Sequence, residues 1–117
     1  MIIEVSSREQ LANIIKTYTY VIIDFYADWC NPCKKLSAYI TNKTDTKTDP
    51  DNKYYTQIIV CKIKIDDEEF ENIEKLTEEY HVSGLPCLVF YKSAVQFDKL
   101  EGFSETKTND IIKKMFN

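Results

Sequence analysis

The sequence predicts an α/β fold, a central mixed β-sheet with helices on both faces, in the order β-α-β-α-β-α-β-β-α. Three observations predict it. Runs rich in β-branched and aromatic residues occur at 20–26, 58–65 and 87–91. Segments with apolar residues at helical spacing alternate with them. The last two strand runs are joined only through Lys92-Ser93-Ala94. That short link favours an antiparallel hairpin, whereas a helix between successive strands favours a parallel crossover.

Each element has its own signal. Ile3 and Val5 flank Glu4 as in a short first strand. Ser7 and Gln10 have capping-box spacing, and Leu11, Ile14, Ile15 and Tyr18 recur at helical period, so a helix is expected from about residue 7 to 17. Tyr20 to Tyr26 reads as a buried strand whose lone charge is Asp24. Trp29-Cys30-Asn31-Pro32-Cys33 then opens a second helix, with Pro32 in the first turn, where its missing N–H costs nothing. Leu36, Ala38, Tyr39 and Ile40 continue it. Residues 41–56 are rich in Thr, Asn, Lys and Asp, and a long, polar, mobile loop is expected there. Ile58 to Ile65 is the next strand. Asp67 is placed to cap a helix with the stripe Phe70, Ile73, Leu76, Thr77 and Tyr80. The chain turns over 81–85, breaks at Pro86, and gives strands at Cys87 to Tyr91 and Val95 to Leu100. Gly102 allows a bend, and Ile111, Ile112, Met115 and Phe116 mark a terminal amphipathic helix.

The 117 residues are one domain's worth, so a single domain over 1–117 is expected. A hydrophobic content of 44% can fill a core without staples. The 15 basic and 19 acidic residues leave a net charge of −4, which argues against a nucleic-acid partner. No apolar run approaches the roughly 18 residues that span a membrane, so no membrane partner is expected. The start, Met1-Ile2-Ile3-Glu4-Val5, lacks the order of a signal peptide. An intracellular, cytoplasmic protein is therefore expected. In a reducing compartment, paired cysteines are more often catalytic or metal-binding than structural.

Cys30 and Cys33 carry the chemistry. At a helix start, unpaired N–H groups and the helix dipole stabilise a thiolate, and the thiolate is the nucleophile. Cys33 lies one turn on, within reach of a mixed disulfide at Cys30, so the pair can take a disulfide from a substrate in two exchange steps. The competing reading is half of a zinc site. It needs two further ligands, for which only Cys61, Cys87 and His81 are available without a second Cys-x-x-Cys. No bound metal or cofactor is expected. His81 reads as a surface turn residue, and Cys61 as a small buried hydrophobe.

The run Val21-Ile22-Ile23-Asp24-Phe25-Tyr26-Ala27-Asp28-Trp29-Cys30-Asn31-Pro32-Cys33-Lys34 resembles the strand and active-site segment of the thioredoxin family. Val82-Ser83-Gly84-Leu85-Pro86 is similar to the segment holding that family's cis-proline, and Val60 to Asp66 to its central strand with a buried lysine. Gly102 falls where the family has a glycine after its last strand. The resemblance covers nearly the whole chain except 41–56, and it implies a thioredoxin fold.

The roles that follow are implied by the resemblance. Cys30 is the exposed nucleophile and Cys33 the resolving thiol. Asp24 accepts the Cys33 proton, since a buried carboxylate has a raised pKa. Lys62 pairs with Asp24, although a lysine with its head in solvent is an equal reading. Trp29, Asn31 and Pro32 form the rim, Pro86 lies against the cysteines, and the Leu85 backbone pairs with an extended substrate. The function implied is reduction of protein disulfides by a monomer. Its partners are disulfide-containing proteins and a thioredoxin-reductase-like electron donor, and its only redox group is the reversible Cys30–Cys33 disulfide.

Several positions depart from the family pattern. Asn31-Pro32 replaces the usual Gly-Pro, Tyr26 a frequent Trp, and Ala38 a helix-kinking proline. Cys87 stands in place of Thr. It reads as a buried strand residue, or as an extra thiol near Cys33 that competes in resolution. Two other functions remain open: a binding module or subunit on the same fold with no essential redox role, and a disulfide oxidase or isomerase.

Overall fold

Tyr20–Tyr26 (β2) forms the middle strand of a five-stranded sheet. The computed structural model describes the whole chain, Met1–Asn117. The other strands are β1 (Ile2–Glu4), β3 (Ile59–Lys64), β4 (Cys87–Lys92) and β5 (Val95–Glu101). The helices are α1 (Arg8–Thr17), α2 (Asn31–Asp45), α3 (Asn52–Tyr55), α4 (Ile73–Glu79) and α5 (Glu105–Met115). The strand order is β1-β3-β2-β4-β5. β1 and β2 run parallel to β3, while β4 runs antiparallel to both β2 and β5.

Because side chains alternate across a strand, β2 feeds two cores. Val21, Ile23 and Phe25 pack with Cys61, Ile63, Cys87 and Val89 beneath Leu11 and Ile14 of α1 and Ile73 and Leu76 of α4. Ile22 packs with Val60, Leu88 and Phe90 beneath Leu36 and Ile40 of α2, Tyr55 of α3 and Ile112 and Met115 of α5. Asp24 has the parity of the second face, the face that α2 covers.

Helix starts follow the sequence. Ser7 Oγ accepts from Gln10 N–H, and the Gln10 side-chain oxygen accepts from Ser6 N–H at 2.9 Å. Ser104 caps α5 in the same way through Lys107 N–H. The β4–β5 hairpin turns through Ser93 (φ 53°) and Ala94 (φ 65°), both in the left-handed region that a two-residue turn of this hand requires.

Three expectations need correction. The helix between β3 and β4 does not give a parallel crossover. α4 has seven residues, about 10 Å of rise, against about 20 Å for the six residues of β3. The connection therefore leaves and rejoins the sheet at the same end. Nor does this helix start at Asp67. The Asp67 carboxylate accepts from Glu69 N–H in a local turn, and the helix begins only after Asn72, at φ 60°.

The third correction concerns residues 41–56, which are not a mobile loop. α2 continues to Asp45, and α3 follows. Asn52 Nδ2 donates to the carbonyls of Lys43 and Thr44, closing the end of α2. Lys43 bridges Asp49 and Asp51 at 3.0 and 3.2 Å. Tyr55 is buried, its hydroxyl bonded to Tyr39 (3.0 Å) and donating to Asn109 of α5 (2.9 Å). The polar composition hid an aromatic anchor.

Replacing Tyr55 tests this bracing. Tyr55→Ala is expected to cost about 3–5 kcal/mol, as for other large buried aromatics. Tyr55→Phe, which removes only the hydroxyl bonds, should cost about 1 kcal/mol. Urea unfolding reads both, and values near zero would restore the loop.

Candidate active site

β2 delivers the chain through Ala27-Asp28-Trp29 to the start of α2. Cys30 is the N-cap, and its Sγ accepts from Cys33 N–H at 3.2 Å. Pro32 occupies the first turn, as its missing donor allows. Cys33, Leu36 and Ile40 form the buried stripe of α2, so the helix that packs on the sheet also fixes the second sulfur. Cys30 and Cys33 are joined in a disulfide, with Cα atoms 5.3 Å apart.

The two sulfurs and Ala27 make a small buried cluster, against which Tyr26, Ile65 and Leu85 pack. Cys30, which the resemblance implied to be exposed, is only 6% exposed in this disulfide form. Leu85 packs against the cluster that contains it. Cys30 is reached through a shallow groove lined by Trp29, Asn31 and Pro32 on one side and by Ser83, Gly84 and Leu85 on the other. Trp29 is 70% exposed at the rim. Cys33 faces a separate hollow that also includes Tyr26, Ser37 and Lys62.

The second wall comes from the short β3–β4 connection. The Leu85–Pro86 peptide bond is cis. Gly102, at φ +80°, donates its N–H to Pro86 O at 2.8 Å. The Glu101 carboxylate receives Ser83 Oγ–H (2.7 Å) and Ser83 N–H (3.2 Å), and Lys99 Nζ lies 3.2 Å away. These bonds, the Ser83 hydroxyl first, hold the Glu101 carboxyl below its usual range. Neither the N–H nor the C=O of Leu85 is engaged within the chain.

Asp24 is 1% exposed, and its Oδ1 is buried with no hydrogen-bond partner. Burial pushes its pKa up to about 7, against the downward pull of Lys62 and with a further upward push from Glu4. The direct Asp24–Lys62 pair does not form. Lys62 Nζ instead sits 4.2 Å from the centroid of the Tyr26 ring and 3.5 Å from Ser37 Oγ. Nor is Lys62 free in solvent. Tyr26 O–H donates to Glu4 at 3.0 Å. Sequence reasoning missed Glu4 and Ser37, although Tyr26, two residues after Asp24 on one strand, shares its face by parity.

Cys87 is not brought to the sulfur pair. It pairs with Phe25 in register and faces the α1/α4 side of the sheet with Cys61, opposite α2. Burial raises the thiol of Cys87 to about 11 and that of Cys61 to about 12. No group of three or more His, Cys, Asp or Glu side chains is placed to hold a metal ion.

A family model described as thioredoxin matches residues 2–116. The chain belongs to the thioredoxin family. It is 26% identical to thioredoxin 1 of Plasmodium falciparum over 94% of this chain and 93% of that one. It is 30% identical to thioredoxin-1 of Drosophila yakuba over 81% and 78%. The oxidised mitochondrial thioredoxin 3 of Saccharomyces cerevisiae superposes with a TM-score of 0.77 at 26% identity, covering 97% of this chain and 94% of that one. With its disulfide in the family's Cys-x-x-Cys position, the protein is a thiol–disulfide oxidoreductase with a thioredoxin fold.

Two outcomes follow from this geometry. The unfolded Asp24 ionises near 3.8, the folded one at about 7. The folded state thus holds the extra proton between these values, and stability falls as pH rises from about 4 to about 7. Asp24→Asn should flatten that slope and raise stability at pH 8 by a few kcal/mol, read by urea unfolding across pH. In the oxidised native protein, a thiol alkylator at pH 8 should label neither Cys61 nor Cys87, and Cys87→Thr should leave the redox potential unchanged. Rapid native labelling of Cys87 would contradict its placement.

Proposed function

We propose that this thioredoxin-family protein reduces disulfides in other proteins, with Cys30 as nucleophile and Cys33 as resolving thiol. The observation that carries the reading is the disulfide at the start of α2, beside a groove whose far wall offers an unengaged backbone at Leu85. An extended substrate segment can pair with that backbone by strand addition, while Trp29, Asn31, Pro32 and the cis Leu85–Pro86 segment shape the approach.

The Cys30 thiolate attacks one sulfur of a substrate disulfide. The substrate S–S bond breaks, one substrate thiolate leaves and takes a proton, and a Cys30–substrate disulfide remains. Cys33 gives its proton to Asp24, whose pKa near 7 suits that task. The Cys33 thiolate then attacks Cys30 Sγ and releases the second substrate thiolate. The substrate has gained two electrons, and the protein holds the Cys30–Cys33 disulfide. A thioredoxin-reductase-like donor supplies two electrons and two protons to restore the dithiol. In this reading the protein works as a single-domain monomer, without a bound cofactor or metal, in the cytoplasm. Two unpaired cysteines, Cys61 and Cys87, suit a reducing compartment, and no helix is long and apolar enough to cross a membrane.

Equilibration in graded dithiol/disulfide buffers, with mass-tag trapping of thiols, tests the direction of electron flow. A Cys30–Cys33 couple near about −270 mV, the reference value for thioredoxins, supports the reductase. A value near −180 or −120 mV would make it an isomerase or oxidant. Cys33→Ser should accumulate a covalent Cys30–substrate disulfide, and Cys30→Ser should reduce exchange to the uncatalysed rate. Asp24→Asn should slow resolution about 10²-fold at pH 7, the lower end for loss of a general base.

A further inference from the structure

Asp24 and Lys62 are direct neighbours in register on β2 and β3. An opposite charge at that position ordinarily closes on a buried carboxylate, which gains most from it. Here Asp24 Oδ1 stays unpartnered while the lysine head lies elsewhere. Lys62 Nζ stands 4.2 Å from the centre of the Tyr26 ring, within the range where the ring quadrupole holds a cation. Ser37 Oγ, from α2, lies 3.5 Å from the same Nζ. The ring is itself held, because the Tyr26 hydroxyl reaches both carboxylate oxygens of Glu4 at 3.0 and 3.1 Å. Glu4 in turn is fixed on β1 in register with Lys62. Three adjacent strands thus form a chain from Glu4 through Tyr26 to Lys62, and it ends short of Asp24.

We propose that Tyr26 is a positioning residue, whose ring, anchored by Glu4, holds the Lys62 ammonium off the Asp24 carboxylate. This deepens the proposed role of Asp24 as proton acceptor and rests on it for its effect on the reaction. A carboxylate in contact with a lysine keeps its charge to low pH and is a weak base. One deprived of that contact in an apolar site binds a proton near neutrality.

The remaining surroundings of Asp24 offer no other counter-charge. Glu4 on β1 repels it. β4 sets Leu88 opposite it in register, while Cys87 points to the reverse face. α5 turns Ile112 and Met115 toward this side of the sheet. The first turns of α2 contribute Cys33, tied up as a disulfide, and Ser37, which is neutral.

The test is the titration of the Asp24 carboxyl carbon by ¹³C NMR in the disulfide form, where no active-site thiol titrates beside it. Tyr26→Leu removes the ring and should lower the Asp24 midpoint by about one pH unit, as an approaching cation does. In a Lys62→Met background the same substitution should produce no downward shift. An unchanged or raised midpoint in Tyr26→Leu, or an equal fall without Lys62, overturns the proposal. If Tyr26→Leu does not fold, the wild-type protein decides. The Lys62 ε-methylene protons should be displaced upfield by the Tyr26 ring current, and ordinary shifts there overturn it equally. Single-turnover resolution in Asp24→Asn is scored separately. An unchanged rate removes Asp24 from the reaction but leaves the placement of Lys62 by Tyr26 to be decided by the titration.

Discussion

The active end depends on how α2 lies back across β2. Cys33, Leu36 and Ile40 share one stripe of the helix, and all three are buried. Burying Leu36 and Ile40 contributes about 1.5–3 kcal/mol each, so the rotation of α2 about its axis is set by ordinary core packing. That rotation also sets where Cys33 faces, and the N-cap geometry at Cys30 follows one turn earlier. The two sulfurs are therefore placed by the helix, and only the opposite wall of the groove comes from a connection. The two sulfurs sit at the start of a helix packed on the sheet, at the end of the deeply buried strand β2.

Asp24 is the element that works against this packing. It occupies the middle of a strand otherwise composed of Val, Ile, Phe and Tyr, and each neighbouring strand supplies apolar side chains around it. Its ionisation is disfavoured by burial, and the nearest cation is diverted to an aromatic ring. A fold optimised only for stability would place a neutral residue there. The two cores that flank the sheet carry the penalty, and the carboxyl is left with a pKa pushed up to about 7.

Much of this was legible from the chain. Strand and helix periods located β2, β3 and β4, the capping residues located α1, and the cysteine spacing located the site and its chemistry. The parts that were not legible share a cause. Residues 41–56 look polar by composition, but Tyr55 is buried with Tyr54 half-buried beside it, and the Lys43, Asp49 and Asp51 side chains pair with one another. The orientation of β4 depends on the length of α4, which Asp67 obscured by capping a turn instead of a helix. Lys62 had two readings from sequence, paired or solvated, and took neither, because the competing partner was a ring on the adjacent strand. Cys87 read from the sequence as a buried strand residue or an extra thiol, and only the assembled sheet shows that it faces away from α2.

The short β3–β4 connection has a consequence for how this chain can vary. It leaves β3 and enters β4 at the same end of the sheet, and for that reason Leu85 and Pro86 arrive beside the helix that carries the cysteines. A connection longer by a full helix would deliver them to the opposite end, about 20 Å away at strand rise. The end at which this connection rejoins the sheet is therefore part of how the site is built. The segment after α2 is under no such constraint, because it returns to β3 far from the sulfurs. There the chain is braced as a helical turn at the end of the sheet away from the sulfurs, so a change of its length would not by itself move Leu85 and Pro86.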